Sequence, residues 1–293
     1  MIYRFLIWSV VFFWGISFVA TRVVVLSIPP VTAAFMRFLI ASVALILMTR
    51  KLPKLLNWHS FFAGFWGVTM YFIFENSGLV YTYPTNASLI VSSAPILYTL
   101  FSHLIQKRKT TLTEYFASLI AFFGVAVVIL NGRFVLKVSL KGDLMLLGAA
   151  FAWVFYTYHV EKMPDSDSLI GVMSITFWGV ITLFPFAILE KRSQITFSTP
   201  VILSLLYLGI ICSGIAYVFW NIGIRRVGAR YTTNTIYFIP VITSVAEAIL
   251  LKNLPNLYTI IGGTLVLLGL WLFNKQERRK ESESLSQSKN EPT

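Results

Sequence analysis

Stretches of about twenty apolar residues, each nearly free of charge, follow one another along the whole chain and are separated by short polar breaks. They lie at about 5–26, 31–49, 60–80, 86–106, 113–131, 143–161, 168–189, 200–222, 231–251 and 256–273. A helix of that length crosses the ~30 Å hydrocarbon layer of a bilayer. Helix is also the form in which such a segment satisfies its own backbone in lipid. Pro29-Pro30, Pro53, Pro84, Asn131-Gly132, Pro164, Pro200 and Pro255 punctuate the gaps. Composition agrees: 57% of the 293 residues are hydrophobic and 12% charged, about half the charged fraction usual in soluble domains. The expected fold class is an all-α polytopic membrane protein with ten transmembrane helices. The opening MIYRFLIWSVVFFWGISFVA has too long an apolar stretch for a cleaved signal peptide and no A-x-A site, so it is taken as the first span.

The formal charge is +12, but nucleic acid is not the partner it implies. The basic residues sit in short clusters between apolar runs, as the positive-inside rule distributes them. An even number of spans puts both termini on one face. That face collects Arg4, Arg50, Lys51, Lys54, Lys107, Arg108, Lys109, Lys162, Arg225, Arg226, Arg230 and the basic tail. The opposite loops carry Arg133, Lys137, Lys141, Lys191, Arg192 and Lys252. The expectation is a multi-pass protein of the plasma (inner) membrane with both termini cytoplasmic. A single cysteine, Cys212, excludes an internal disulfide and a thiolate metal cluster. No metal or cofactor is expected.

The chain also repeats itself. GLVYTYPTNASLIVSSAP at 78–95 meets GIRRVGARYTTNTIYFIP at 223–240 when displaced by about 145 positions. Asn76 falls on Asn221, Gly78 on Gly223, Pro95 on Pro240 and Gly124 on Gly269. Each copy holds five spans, an odd number, so the second enters the membrane upside down. The arginines of the second turn, absent from the first, follow from its facing the other compartment. The layout is a first five-helix repeat at 1–131, a loop at 132–142, a second repeat at 143–274 and a disordered cytoplasmic tail at 275–293. Two inverted repeats around a central cavity characterise secondary transporters. One chain supplies both pseudo-symmetric members, so a monomer is expected.

Polar residues mark one helical face. Ser88, Ser92, Pro95, Thr99 and Ser102 recur at steps of four and three, and Thr233, Tyr237, Pro240, Ser244 and Glu247 repeat that face in the ninth span. Such a face turns inward, either to pack helices through small polar groups or to line a water-accessible cavity. Other spans add Trp14 with Ser17 and Thr21; Tyr71, Glu75 and Asn76; Trp153, Tyr156 and Thr157; and Ser213, Tyr217, Trp220 and Asn221. The substrate-binding candidates are Trp14, Tyr71, Trp153, Tyr156, Tyr217, Trp220 and Tyr237 for aromatic contact, and Asn76, Ser92, Asn221 and Asn234 for hydrogen bonds.

An ionisable side chain within a span is costly and needs a partner or a purpose. Arg37 and Glu75 lie at similar depth in neighbouring spans. They form an ion pair, or one of them meets a charged substrate, or Glu75 carries a proton. Glu247 has Arg22 as its evident partner at that depth and is a second proton or amine candidate. His59, His103 and His159 sit near the inner edge, where loop contacts account for them. Walker, G-x-S-x-G and H-E-x-x-H motifs are missing, which weighs against an enzyme; the repeat and short loops weigh against a receptor or scaffold.

These residues resemble the EamA family of the drug/metabolite transporter superfamily. FFWGISF at 12–18, PPVTAAFMRF at 29–38, ENSGLVYTYPTNASLIVSSAP at 75–95 and FASLIAFFGVAVVIL carry the likeness in the first half. GAAFAWVFY at 148–156, the 223–240 segment and Tyr258–Leu270 carry it in the second. Trp14, Arg37 and Pro95 match by position. The chain departs where the family often has a Gly-Glu pair: it reads QKRKTT at 106–111 and LKNLP at 251–255. The resemblance implies ten helices around a cavity, with the fifth and tenth as peripheral supports. It further implies export of small metabolites, often amino acids, from a prokaryotic cytoplasm. The expected partners are a small-molecule substrate, the lipid bilayer and, as a candidate coupling ion, the proton. Alternatives within the fold are a multidrug, nucleoside or sugar carrier, or an uncoupled facilitator.

Overall fold

The computed structural model describes residues 1–53, 57–130, 139–191, 195–250 and 257–290, and among them it is helical without strands. Helices α1 (Ile2–Val25) and α2 (Pro30–Thr49) are continuous. Helix α3 comprises Trp58–Gly64 and Tyr71–Tyr81, joined through a π-helical stretch, Phe65–Met70. Helix α4 comprises Pro84–Val91 and Ala94–Leu104. Then come α5 (Leu112–Leu130), α6 (Leu140–Lys162) and α7 (Leu169–Leu189). Helix α8 joins Thr199–Leu206 to Ala216–Arg226 through a second π stretch, Tyr207–Ile215. Helix α9 joins Ala229–Asn234 to Ile239–Leu250 through a 3-10 turn, Thr235–Phe238. Helix α10 is Leu257–Asn290.

Local chemistry sets the ends. Pro30, Pro84 and Pro200 sit in first turns, where the missing N–H costs nothing. The side chains of Asn57, Ser139 and Ser168 accept from His59 N, Gly142 N and Gly171 N. Glu190, at the end of α7, accepts from Val31 N at 2.9 Å and Thr32 N at 2.7 Å, so it closes the start of α2. Helices α4 and α9 break just before Pro95 and Pro240, which cannot donate into the preceding turn.

The correspondence at 145 residues extends to these boundaries. Tyr71 and Ala216, Tyr81 and Arg226, Pro84 and Ala229, Ala94 and Ile239, and Leu112 and Leu257 begin or end equivalent pieces. Both π stretches fall at the same point of their halves. Helix α6 packs on α3 as α1 packs on α8, and α2 also packs on α7 and α8. Helices α5 and α10 lie against each other to one side. A Cβ added to Gly124 would lie 2.7 Å from Gly262 O and Val266 N, and one on Gly269 would lie 2.7 Å from Ala117 O and 2.6 Å from Ala121 N. Only glycine lets the backbones come that close.

By length and composition, Ile2–Val25, Pro30–Thr49, Ala87–Leu104, Leu169–Leu189 and Thr199–Arg226 are able to cross a membrane. Leu112–Gly124 and Ile260–Phe273 are shorter apolar helices. Ten such segments are expected from the sequence. Helix α3 is divided by its π stretch, and α6 carries Lys141, Asp143, Glu161 and Lys162 at its ends. The tail differs from expectation too: α10 runs on through Asn290. Its Glu, Lys, Arg and Gln residues are good helix formers and extend a helix already nucleated in the apolar part. The loop expected at 132–142 falls mostly outside the described residues, as does the side chain of Glu247.

Candidate functional site

Helices α1, α2, α3, α4, α6, α8 and α9 converge on an internal cavity of about 30 Å³. That is room for roughly a water or two. Its walls are aromatic. Trp14 meets Trp153 edge-to-face with ring centres 5.2 Å apart, and Tyr71 lies 5.1 Å from Trp153. Tyr217 lies 5.8 Å from Trp14. Such edge contacts suit the ring quadrupoles and fix the rotamers of large side chains.

The two π stretches orient this cluster. A π turn shifts the hydrogen-bond register and leaves carbonyls free for side chains. Trp14 Nε1 donates to Cys212 O at 3.0 Å, and Tyr217 Oη donates to Gly67 O at 2.9 Å. Gly67 and Cys212 stand 145 residues apart, each within a π stretch. One carbonyl from each half therefore holds one cavity aromatic.

Two charges reach the same cavity. Arg37 and Glu75 are each 3% exposed, and both line it. A direct ion pair, one of the alternatives the sequence leaves open, is not formed: among the described salt bridges no Arg37 nitrogen lies within 4 Å of a Glu75 oxygen. Arg37 Nε donates instead to Ser213 Oγ at 2.6 Å, and its guanidinium carbon lies 4.4 Å from the centre of the Phe72 ring. Glu75 Oε1 accepts from Tyr71 Oη at 3.3 Å, whereas Glu75 Oε2 has no hydrogen-bond partner among the described residues. The indole N–H of Trp153 is likewise buried and unpartnered. An acceptor and a donor without partners thus belong to two residues that line one small cavity.

Of the residues singled out by sequence, Trp14, Ser17, Arg37, Tyr71, Glu75, Ser88, Ser92, Trp153 and Tyr217 line this cavity. Trp220 and Tyr156 back it, 4.8 Å from Trp14 and 4.7 Å from Trp153. Tyr156 Oη donates to Asn221 Oδ1 at 2.5 Å, and Asn76 Nδ2 donates to Pro30 O at 2.9 Å. Asn234 and Tyr237 are elsewhere. Asn234 Nδ2 donates to Arg230 O of its own helix, and Tyr237 packs among Ala121, Val266 and Leu270 against α5 and α10. The cavity places on α9 belong to Ile236 and Ile239. The 3-10 turn at Thr235–Phe238 changes the angular register there, so the face read at helical spacing is not continuous.

Several contacts on the N-terminal face are not evident from the sequence. Glu161, at the end of α6, accepts from Tyr98 Oη at 2.5 Å, Gln106 Nε2 at 3.1 Å and Arg108 NH1 at 3.0 Å; its backbone carbonyl accepts from Arg225. Glu161 therefore ties α4 and the loop after it to α6 through its carboxylate and α8 through its backbone carbonyl, and Arg226 pairs with Asp167 at 2.7 Å. The sequence signal for them is the small acidic group Glu161, Asp165 and Asp167 among the basic residues of that face. His59 and His159 also meet there, Nδ1 to Nδ1 at 3.1 Å. On the opposite face, Arg22 donates to Leu79 O.

The EamA-like transporter family model matches residues 1–130 and again 140–275. An "uncharacterized transporter" of Archaeoglobus fulgidus is 27% identical over 91% of this chain and 95% of its own. A "probable amino-acid metabolite efflux pump" of Escherichia coli K12 is 26% identical over 90% of this chain and 91% of its own. A solved crystal structure at 19% identity superposes with a TM-score of 0.77, covering 94% of this chain and 98% of its own, which is a likeness of fold.

Proposed function

The chain belongs to the EamA-like transporter family and is a multi-pass membrane protein; from that premise we propose a secondary transporter that exports amino acids or related metabolites by alternating access. The observation that carries this reading is the internal cavity, whose aromatic walls come from both halves of the chain and whose two charges both come from the first. The names of relatives such as the E. coli efflux pump support the substrate class.

The membrane arrangement belongs to the same proposal. Ten helices form two inverted five-helix repeats, with α5 and α10 as outer supports. The recurring helix boundaries and the matching contacts of Gly124 and Gly269 support it. Basic residues on the N-terminal face support cytoplasmic termini in the plasma membrane. The cavity is too small for a metabolite as it stands, so loading requires the halves to part. Trp14, Tyr71, Trp153 and Tyr217 form the walls of the binding site, Ser92 adds a hydroxyl, and Glu75 is the candidate proton carrier.

Counterflow of labelled amino acids into liposomes holding the purified protein tests the reading. The expected result is saturable exchange, weakened at least about tenfold by Trp153→Ala, with pH-driven accumulation lost in Glu75→Gln. If no amino acid exchanges while nucleosides, sugars or cationic drugs do, the export reading gives way to a different cargo. Saturable flux that ignores the proton gradient marks an uncoupled facilitator.

A further inference from the structure

We propose that Arg37 and Glu75 act as a separated charge pair that reads a dipolar head group, the guanidinium taking its carboxylate and the open Glu75 oxygen taking its ammonium. The inference rests on the transporter reading but concerns which molecules the cavity accepts.

Two opposite charges buried near one another ordinarily close on each other, because an unpaired buried charge is expensive. Here neighbours hold them apart. Ser213 takes Arg37 Nε, and Phe72 presents its ring to the guanidinium. Tyr71 takes one Glu75 oxygen and leaves the other open. Both groups border the same cavity, which is about the size of a water or two. A solute bearing a carboxylate and an ammonium on neighbouring atoms satisfies both at once. A solute with a single charge leaves one of them buried and unmatched. Sites built to pair a substrate group reject analogues lacking it strongly. Trp14, Trp153 and Tyr217 are placed to receive an apolar remainder. Selectivity on this account lies in the head group, while the aromatic wall tolerates varied side chains.

The test is ligand titration by tryptophan fluorescence on purified full-length protein, run beside liposome counterflow. The probes are L-phenylalanine and L-leucine, with their amines (phenethylamine, isoamylamine) and their acids (3-phenylpropionate, 4-methylvalerate). In wild type the zwitterions should bind on the order of 100-fold more tightly than either single-charge partner. Glu75→Gln should bring the acids to within a few-fold of the zwitterions, and Arg37→Gln should do the same for the amines. Glu75→Asp should retain most of the discrimination. If Arg37→Gln does not fold, the Glu75→Gln and Glu75→Asp comparison still decides. Equal binding of single-charge analogues in wild type overturns the proposal, as does failure of both zwitterions to bind. Unchanged selectivity in the variants also overturns it and leaves a water-bridged structural pair. Binding with the predicted selectivity but without counterflow upholds the head-group reading and sinks the carrier reading instead.

Discussion

Gly124 and Gly269 stand 145 residues apart, and each presses into the other's helix at corresponding places. Gly124 abuts the backbone at Gly262 and Val266; Gly269 abuts it at Ala117 and Ala121, which lie 145 residues before those two. Along the contact one helix ascends as the other descends, so α5 and α10 cross antiparallel. A self-complementary contact of this kind is what a two-fold axis produces between subunits, here between parts of one chain. The first prediction follows directly. Gly124→Ala and Gly269→Ala each force a methyl against main chain and should destabilise the protein by about 1–3 kcal/mol. The two losses should be alike, and the double variant should lose less than their total because the first change already spreads the pair. Thermal unfolding in detergent measures all three.

The paired carbonyls of Gly67 and Cys212 support a second prediction. Tyr217→Phe removes one donor while keeping the ring, and leaves Gly67 O unmet. A cost of about 1 kcal/mol in stability is expected, with a larger fractional loss of counterflow because the ring is no longer held at the cavity. Trp14→Phe should behave likewise toward Cys212 O. Equal losses of stability and transport would instead mark these bonds as structural alone.

Glu161 gathers Tyr98, Gln106 and Arg108 on the N-terminal face. Neutralising it should let that face open. The reporter is a Thr157→Cys thiol in a Cys212→Ala background, one turn from Glu161 toward the cavity. Its labelling by an impermeant maleimide from that face should be slow, and several-fold faster in Glu161→Gln or Arg108→Gln. Arg108 is well exposed, so its variant spares the core. Unchanged rates in both variants would mean that the hub does not close this face.

Glu190 binds two backbone amides and the Thr32 hydroxyl at the start of α2. Glu190→Ala removes a charged cap together with the tie between α7 and α2. The expected loss is about 1–2 kcal/mol, read as a lower unfolding temperature. Glu190→Gln should recover part of it.

Much of this architecture is legible in the chain because bilayer and helix impose simple rules. The apolar runs announce helices, and the recurrence of Asn76, Gly78 and Pro95 at Asn221, Gly223 and Pro240 announces two like halves. Trp14, Tyr71, Trp153 and Tyr217 emerge from polar aromatic faces. The π stretches are not legible, since Phe65–Met70 and Tyr207–Ile215 have no sequence mark that separates them from ordinary helix. Their effect, and that of the 3-10 turn, is rotational. Ser88 and Ser92 line the cavity, whereas Thr99 and Ser102, past the break in α4, are not among its lining residues; all four hydroxyls donate back to their own helix. Tyr237 is turned toward α5 and α10 for the same reason. Arg37 and Glu75 are readable as neighbours in depth, but their separation depends on Ser213, Phe72 and Tyr71, whose positions only the packed helices define.

The near-equivalence of the two halves makes their differences informative. Glu75 has Trp220 as its counterpart 145 residues on, and Arg37 has Thr176, counted from helix starts at Pro30 and Leu169. Two identical chains related by a perfect axis would place every charge twice. Their shared chamber could then hold two arginines and two glutamates, a pattern without polarity across the axis. Joining the halves in one polypeptide releases each from copying the other. A single plus can then face a single minus, and the chamber acquires a sense of direction that no symmetric dimer can possess.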